Sequence, residues 1–161
     1  MDKYFRTEDG RIVDLIDHCG MILGENPNSE ILIGCDSQNG KKKGKGDTEY
    51  VVTVVFRHGT KGAHFIYKKV KVPKIRDLFT RLFKECEFSL EAADIVTKNS
   101  AFKVGAIELD YNDFKRTKSA PLVSATKGWC ESQGYKVVLK SGDMFACKAA
   151  DHVLRHPGLY K

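Results

Sequence analysis

The chain has 161 residues, the size of one ordinary domain, and this length can bury a core without help from disulfides or structural metals. An excess of 27 lysines and arginines over 21 acidic residues gives a net charge of +6, which favours a polyanionic partner such as nucleic acid. The polar start, the lack of any run of about eighteen apolar residues and five scattered cysteines without a CxxC pair argue against a signal peptide, a membrane span, a disulfide framework and a zinc site. We therefore expect one cytoplasmic domain over residues 1–161 with reduced cysteines and no membrane partner.

The first part of the chain predicts a helix followed by three strands. Apolar residues recur at helical spacing after the polar start, so residues 1–29 are expected to form an N-terminal helical extension packed on the domain. Residues 31–36 are apolar on both alternating faces, which is typical of a central strand. Two more strands, 50–56 and 65–72, are separated by the glycine-containing reversal HGTKGA, so the three strands should form an antiparallel meander.

The second part alternates helices with strands. A long helix is predicted over residues 74–97 and a strand over 104–110. The next helix should start at Ser119 as its cap, with Pro121 in the first turn. The predicted elements that follow are a strand over 135–140 and a last helix over 141–156.

This order of elements predicts an α/β fold with a mixed five-stranded sheet. A later strand can return parallel to the first only through a crossover helix, so two parallel strands should join the three-stranded antiparallel meander. Helices then cover both faces, and the N-terminal helix is an addition to this core.

Two acidic residues follow apolar strands of this sheet. Asp36 ends the first predicted strand and Asp110 ends the fourth. If these strands are neighbours, the two carboxylates lie about one strand spacing apart, roughly 4.8 Å between backbones, and repel each other unless a proton or a cation lies between them. Such a site suits Mg²⁺ or Mn²⁺, although taken singly either aspartate could instead belong to a strand-end turn.

The segments IGCDSQ, RLFKECEFSLEAAD, IELDYN and KSGDMFACKAADH resemble the YkuK family of predicted ribonuclease H-like nucleases, and the resemblance covers nearly the whole chain. It implies a ribonuclease H-like fold and two bound ions, Mg²⁺ or Mn²⁺. It also implies that Asp36 bridges the two ions and that Asp110 binds one of them. The last helix would contribute Asp151 and the long helix Glu85, so these four acids are the expected catalytic and metal-binding residues.

Each helical acid has an alternative interpretation. Asp151 falls on one side of the last helix with Lys148 and Arg155, so a solvated ion-pair stripe explains it equally well. Glu85 could be a surface glutamate beside the apolar stripe of its helix. Asp143 competes with Asp151 because it follows the last strand directly, although a helix N-cap is the more ordinary role there.

The predicted function is therefore metal-dependent hydrolysis of phosphodiester bonds in RNA, an RNA/DNA hybrid or structured DNA. One ion would activate a water and the other would stabilise the leaving oxygen, and the resemblance implies products with a 5′ phosphate and a 3′ hydroxyl. Lys140 and His152 are candidate helpers at the phosphate and in proton transfer. Further basic residues that could contact a phosphate backbone are the loop 41–46, Lys68, Lys69 and Lys71.

Two alternatives remain open at this point. A domain with the same fold could bind nucleic acid or act as a scaffold without hydrolysis. An ATP-binding domain of the sugar-kinase and actin superfamily shares the fold, but those proteins pair two such domains and this chain has the length of one. The sequence does not indicate the oligomeric state or the preferred substrate.

Overall fold

The computed structural model describes residues 1–40, 46–111, 113–139 and 144–160, with the backbone alone for residues 113–120. The described residues form these elements in chain order: β1 (Tyr4–Arg6), β2 (Ile12–Asp14), α1 (Leu15–Glu25), β3 (Glu30–Asn39), β4 (Asp47–Arg57), β5 (Ala63–Pro73), α2 (Leu78–Asn99), β6 (Ala106–Leu109), α3 (Asp113–Ser132), β7 (Val137–Leu139) and α4 (Ala146–Arg155).

The strands of the described residues belong to one mixed sheet with the order β2-β1-β5-β4-β3-β6-β7. Strands β3, β4 and β5 pair antiparallel, as the sequence predicts for a meander. Strands β6 and β7 then add in parallel, β6 next to β3 and β7 next to β6. The five predicted strands are therefore confirmed in their order, but the prediction of a five-stranded sheet is wrong because β1 and β2 extend it to seven.

The error lies at the N-terminus, where a hairpin precedes the expected helix and leaves it only Leu15–Glu25. Strands β1 and β2 pair antiparallel around a turn in which Gly10 has φ of +88°, a conformation that favours glycine. The helix starts only after Asp14, whose side chain accepts hydrogen bonds from the backbone N–H groups of Ile16 (2.9 Å) and Asp17 (3.2 Å). Strands of only three residues carry too little alternation to be predicted.

Helix α2 also starts later than predicted, and α3 starts earlier. Asp77 caps α2 by accepting the N–H of Thr80 at 2.9 Å, so the helix begins after the predicted residue 74. Helix α3 begins at Asp113, which leaves Pro121 inside it rather than in its first turn. The side chain of the predicted cap, Ser119, lies outside the described residues.

Helices cover both faces of the sheet, as predicted. Along β3, Ile31, Ile33 and Cys35 belong to the large core beneath α1, α2 and α3. On the opposite face, Leu32 packs with Ala146 at the start of α4. All five cysteines are buried and free, and no helix within the described ranges is long and apolar enough to cross a membrane.

Candidate carboxylate site

The parallel pairing of β3 with β6 leads towards two of the predicted site residues, Asp36 and Asp110. The last paired residues in this register are Gly34 and Glu108. Continued two residues along each strand, the same register sets Asp36 level with Asp110. Parallel neighbours lie about 4.8 Å apart, so two carboxylates at this level repel each other unless something positive lies between them.

Asp36 lies within β3 and not at its end. It pairs with Val51 of β4, and β3 continues to Asn39, so the strand-end turn that was the alternative for Asp36 is not present. The N–H of Ser37 donates to Oδ1 of Asp36 at 2.9 Å. Asp110, in contrast, is exposed and follows the last residue of β6 directly.

Glu85 is buried on α2, with 5% of its surface exposed, so it is not a surface glutamate. The hydroxyl of Ser37 donates to Oε2 of Glu85 at 2.6 Å. Adjacent residues of a strand point to opposite faces. Asp36 therefore faces α4, while Ser37 connects the same part of β3 to α2.

A buried thiol near the start of α4 is affected by the charge of several of these acids. Burial raises the pKa of Cys147 far above its usual value, and the negative charges of Glu108, Glu85, Asp110 and Asp36 raise it further. Three of the four predicted site acids thus lie close enough to act on one side chain. The fourth predicted acid is not among these charges.

That fourth acid, Asp151, makes the ion pair that its alternative interpretation describes. Its Oδ1 accepts a hydrogen bond from Nε of Arg155, four residues later on α4, at 3.0 Å. Its side chain is 44% exposed. In the structure the Asp151 carboxylate is therefore engaged by Arg155.

One acid of the cluster was not predicted at all. Glu108, on β6, is 2% exposed, and its carboxylate oxygens accept N–H groups from the first turn of α4: Phe145 at 3.1 Å, Ala146 at 2.8 Å and Cys147 at 3.0 Å. Burial raises the pKa of Glu108, while these hydrogen bonds work in the opposite direction. Glu108 therefore caps α4 from a neighbouring strand. The sequence signal for it is an acid inside the apolar run AIEL, because a buried acid needs a partner.

Gly34 allows α4 to start directly on β3. A Cβ at this position would lie 2.8 Å from the backbone nitrogen of Cys147 and 2.9 Å from Cβ of Ala146. The hydroxyl of Thr53, on β4, donates to the carbonyl of Ala146 at 2.6 Å and fixes the same turn. The beginning of α4 is therefore held against the sheet two residues before Asp36.

The donor chemistry of the cluster suits a hard divalent cation. Asp36, Asp110 and Glu85 offer only oxygen atoms, and Mg²⁺ commonly takes one or two carboxylates together with waters and substrate phosphates. In the part of the chain that the structure describes, no three acidic, histidine or cysteine side chains converge as one complete ligand set. The aspartate pair therefore fits an ion that completes its coordination with water and phosphate.

Some of the predicted helpers and basic residues have partners within the protein, and others lie outside the described residues. Nδ1 of His152 is 3.0 Å from the hydroxyl of Tyr160, so this imidazole already has a partner. Lys68 pairs with Asp2, and Lys69 donates to the carbonyl of Tyr160. Predicted residues that lie outside the described ranges are Lys140, Asp143 and positions 41–45 of the lysine loop.

Comparison with known proteins gives one family. A family model described as Ribonuclease H-like matches residues 15–155. The match covers β3 to β7 and all four described helices, and it begins after the β1–β2 hairpin. No curated protein and no solved structure matches the chain significantly.

Proposed function

We propose, starting from the fact that this chain belongs to the ribonuclease H-like family, that it is a metal-dependent nuclease hydrolysing phosphodiester bonds in RNA or DNA. The observation that carries the proposal is the parallel register of β3 and β6, which supports a position of Asp36 beside Asp110 when it is continued by two residues. A cation between two adjacent carboxylates relieves their repulsion, and the same cation can stabilise the charge of a phosphodiester. The net charge of +6 supports a nucleic-acid partner.

Asp36 and Asp110 are the proposed primary ligands of Mg²⁺ or Mn²⁺, with Glu85 as a third acid. Two such ions, when bound, activate a water and stabilise the leaving oxygen of an in-line displacement. The chain itself supplies position. Ser37 holds the carboxylate of Glu85 toward β3, and Glu108 holds the start of α4 beside Asp36.

Asp151 is proposed as the fourth ligand on the strength of the family resemblance alone. Its ion pair with Arg155 is an exposed i,i+4 contact on a helix, which contributes only about 0.3–0.5 kcal/mol. A bound cation could therefore compete for the Asp151 carboxylate at little cost. Asp143 remains the competing candidate.

The test is cleavage of labelled substrates with Mg²⁺ or Mn²⁺, beside an EDTA control. The substrates are an RNA/DNA hybrid, duplex RNA, duplex DNA, single strands and a four-way junction. We expect metal-dependent cutting that Asp36→Asn and Asp110→Asn abolish, whereas Asp17→Asn, an exposed position of α1, leaves it unchanged. Full activity in Asp36→Asn would exclude this site.

A second readout does not depend on activity. Mg²⁺ should raise the melting temperature of the wild type by mass action, because an ion that binds only the folded state stabilises it. Asp36→Asn should lose this increase. If Asp151→Asn also loses it, Asp151 is a ligand; if it keeps the increase, Asp151 is only an ion-pair partner of Arg155.

A non-catalytic nucleic-acid-binding or scaffold domain is the second candidate. It is favoured by the absence, among the described residues, of a complete set of three converging ligands. Salt-sensitive binding of nucleic acid without cleavage of any substrate in the panel would establish this candidate instead.

A further inference from the structure

Arg81 of α2 is a half-buried cation beside the carboxylate site. It precedes Glu85 by four residues, so the two side chains leave the same face of the helix. The hydroxyl of Tyr50, on β4, donates to the carbonyl of Arg81 at 3.0 Å. Tyr50 in turn pairs with Ser37, the residue that binds Glu85, so Arg81 belongs to the same group of side chains.

The charges agree with this placement. Burial raises the pKa of the Tyr50 hydroxyl, and the negative charge of Glu85 adds to the increase. The positive charge of Arg81 acts on the same hydroxyl in the opposite direction. The charges of Arg81 and Glu85 therefore both act on the Tyr50 hydroxyl.

The two acids within helical reach of Arg81 both have other partners. Asp77, four residues before, accepts the N–H and the hydroxyl of Thr80 at 2.9 and 2.5 Å. Glu85, four residues after, accepts the hydroxyl of Ser37. Among the described residues, the Nε of Arg81 is a buried donor without a hydrogen-bond partner.

A buried donor without a partner calls for an explanation, and here a ligand explains it. A guanidinium presents planar, paired N–H donors that match phosphate oxygens, and it keeps its charge at any physiological pH. Resting on the proposed nuclease function, we propose that Arg81 binds a backbone phosphate of the nucleic acid next to the bond held at Asp36 and Asp110. Arg81 thereby fixes the register of the strand on the site.

Binding measured without metal tests this assignment separately from catalysis. The probes are short fluorescein-labelled RNA/DNA hybrid and single-stranded RNA, titrated in EDTA and followed by anisotropy. Arg81→Gln should weaken binding by about tenfold and lower the slope of log K against log salt by roughly 0.7 to 0.9, the value of one phosphate contact. Arg76→Gln, an exposed arginine just before the same helix, is the matched control and should change affinity much less.

The variants also distinguish phosphate binding from a structural role. Arg81→Gln removes a donor without a partner, so its melting temperature should equal or exceed that of the wild type. If the melting temperature of Arg81→Gln falls instead, Arg81→Lys distinguishes phosphate binding from a structural role. Lysine keeps the aliphatic stem and the charge but lacks the paired donors. Weaker affinity at an unchanged salt slope in Arg81→Lys supports the assignment, and wild-type affinity overturns it.

Equal affinity of Arg81→Gln and Arg76→Gln would likewise overturn the assignment. A wild type that binds the probes but cuts nothing, with Arg81→Gln still defective, would refute the nuclease proposal and leave Arg81 as a phosphate-binding residue.

Discussion

Replacing Gly34 with alanine should force the start of α4 away from the sheet. The added Cβ would lie 2.8 Å from the backbone nitrogen of Cys147 and within 2.9 Å of Cβ of Ala146, against about 3.5–4.0 Å for a normal contact between carbon atoms. Backbone atoms cannot rotate away as a side chain can. The helix itself must therefore move.

The expected cost follows from two contributions. Overpacking of a well-packed site costs about 1–3 kcal/mol. Displacement of α4 also stretches the hydrogen bonds from Ala146 and Cys147 to Glu108, which are 2.8 and 3.0 Å long, and weakening them costs about 1 kcal/mol each. Gly34→Ala should thus lower the free energy of unfolding by about 3–5 kcal/mol.

Urea unfolding followed by circular dichroism measures this loss as a lower midpoint at an unchanged slope. The matched control is Gly128→Ala in α3, where an added Cβ meets nothing within 4 Å. That variant should be more stable than the wild type by about 0.5–1 kcal/mol, because alanine is the better helix former. A Gly34→Ala midpoint within error of the wild type would refute the close approach of α4 to β3.

Two further measurements address buried polar groups. Glu108→Gln sets an amide N–H₂ against one of the three N–H donors at the start of α4, so it should lose about 1–3 kcal/mol in urea unfolding; an unchanged midpoint would mean that Glu108 does not cap the helix. Burial lowers the pKa of His18 to about 4, with smaller effects of His64 and Arg11, so the folded state binds fewer protons than the unfolded state between about pH 4 and 6.5. The free energy of unfolding should therefore fall as the pH drops through this window. Between pH 6.5 and 5 it should fall by about 1.5 kcal/mol less in His18→Phe than in the wild type. Parallel pH profiles for His18→Phe and the wild type would contradict this assignment.

The centre of the sheet could be predicted because its pattern is local. In β3 both alternating faces are apolar, and β4 and β5 follow at the spacing of short reversals, so the meander follows from the sequence alone. The parallel addition of β6 and β7 follows from the crossover helices between them. The prediction that Asp36 lies beside Asp110 then depends only on which strands are neighbours.

The remaining features depend on contacts between distant residues. In the sequence Gly34 is an ordinary glycine within a strand, and its contact with α4 is not visible. Glu108 is likewise one acid of IELD, and its three hydrogen-bond donors come from a distant helix. Periodicity assigns a residue to a face but not to a partner. For the same reason the helical wheel alone could not decide between a ligand and an ion pair for Asp151.

The position of the site follows from the place of β3 in the sheet. Strand β3 pairs antiparallel with β4 on one side and parallel with β6 on the other. The two neighbours of β3 therefore run in opposite directions past its carboxyl end. Ligands in open α/β sheets bind where connections part in this way. At this end of β3 the consecutive residues Asp36 and Ser37 face the helix layers on opposite sides of the sheet.

The dipeptide Asp36-Ser37 of β3 faces both helix layers, one residue on each side of the sheet. Asp36 lies on the face where α4 begins, and Ser37 holds Glu85 of α2 on the other face. A shift of either helix therefore changes the distance between the carboxylates that would share a cation. Gly34→Ala should accordingly weaken Mg²⁺ binding as well as stability, whereas Gly128→Ala, far from this dipeptide in the sequence and free of contacts, should alter neither the Mg²⁺-induced rise in melting temperature nor its concentration dependence.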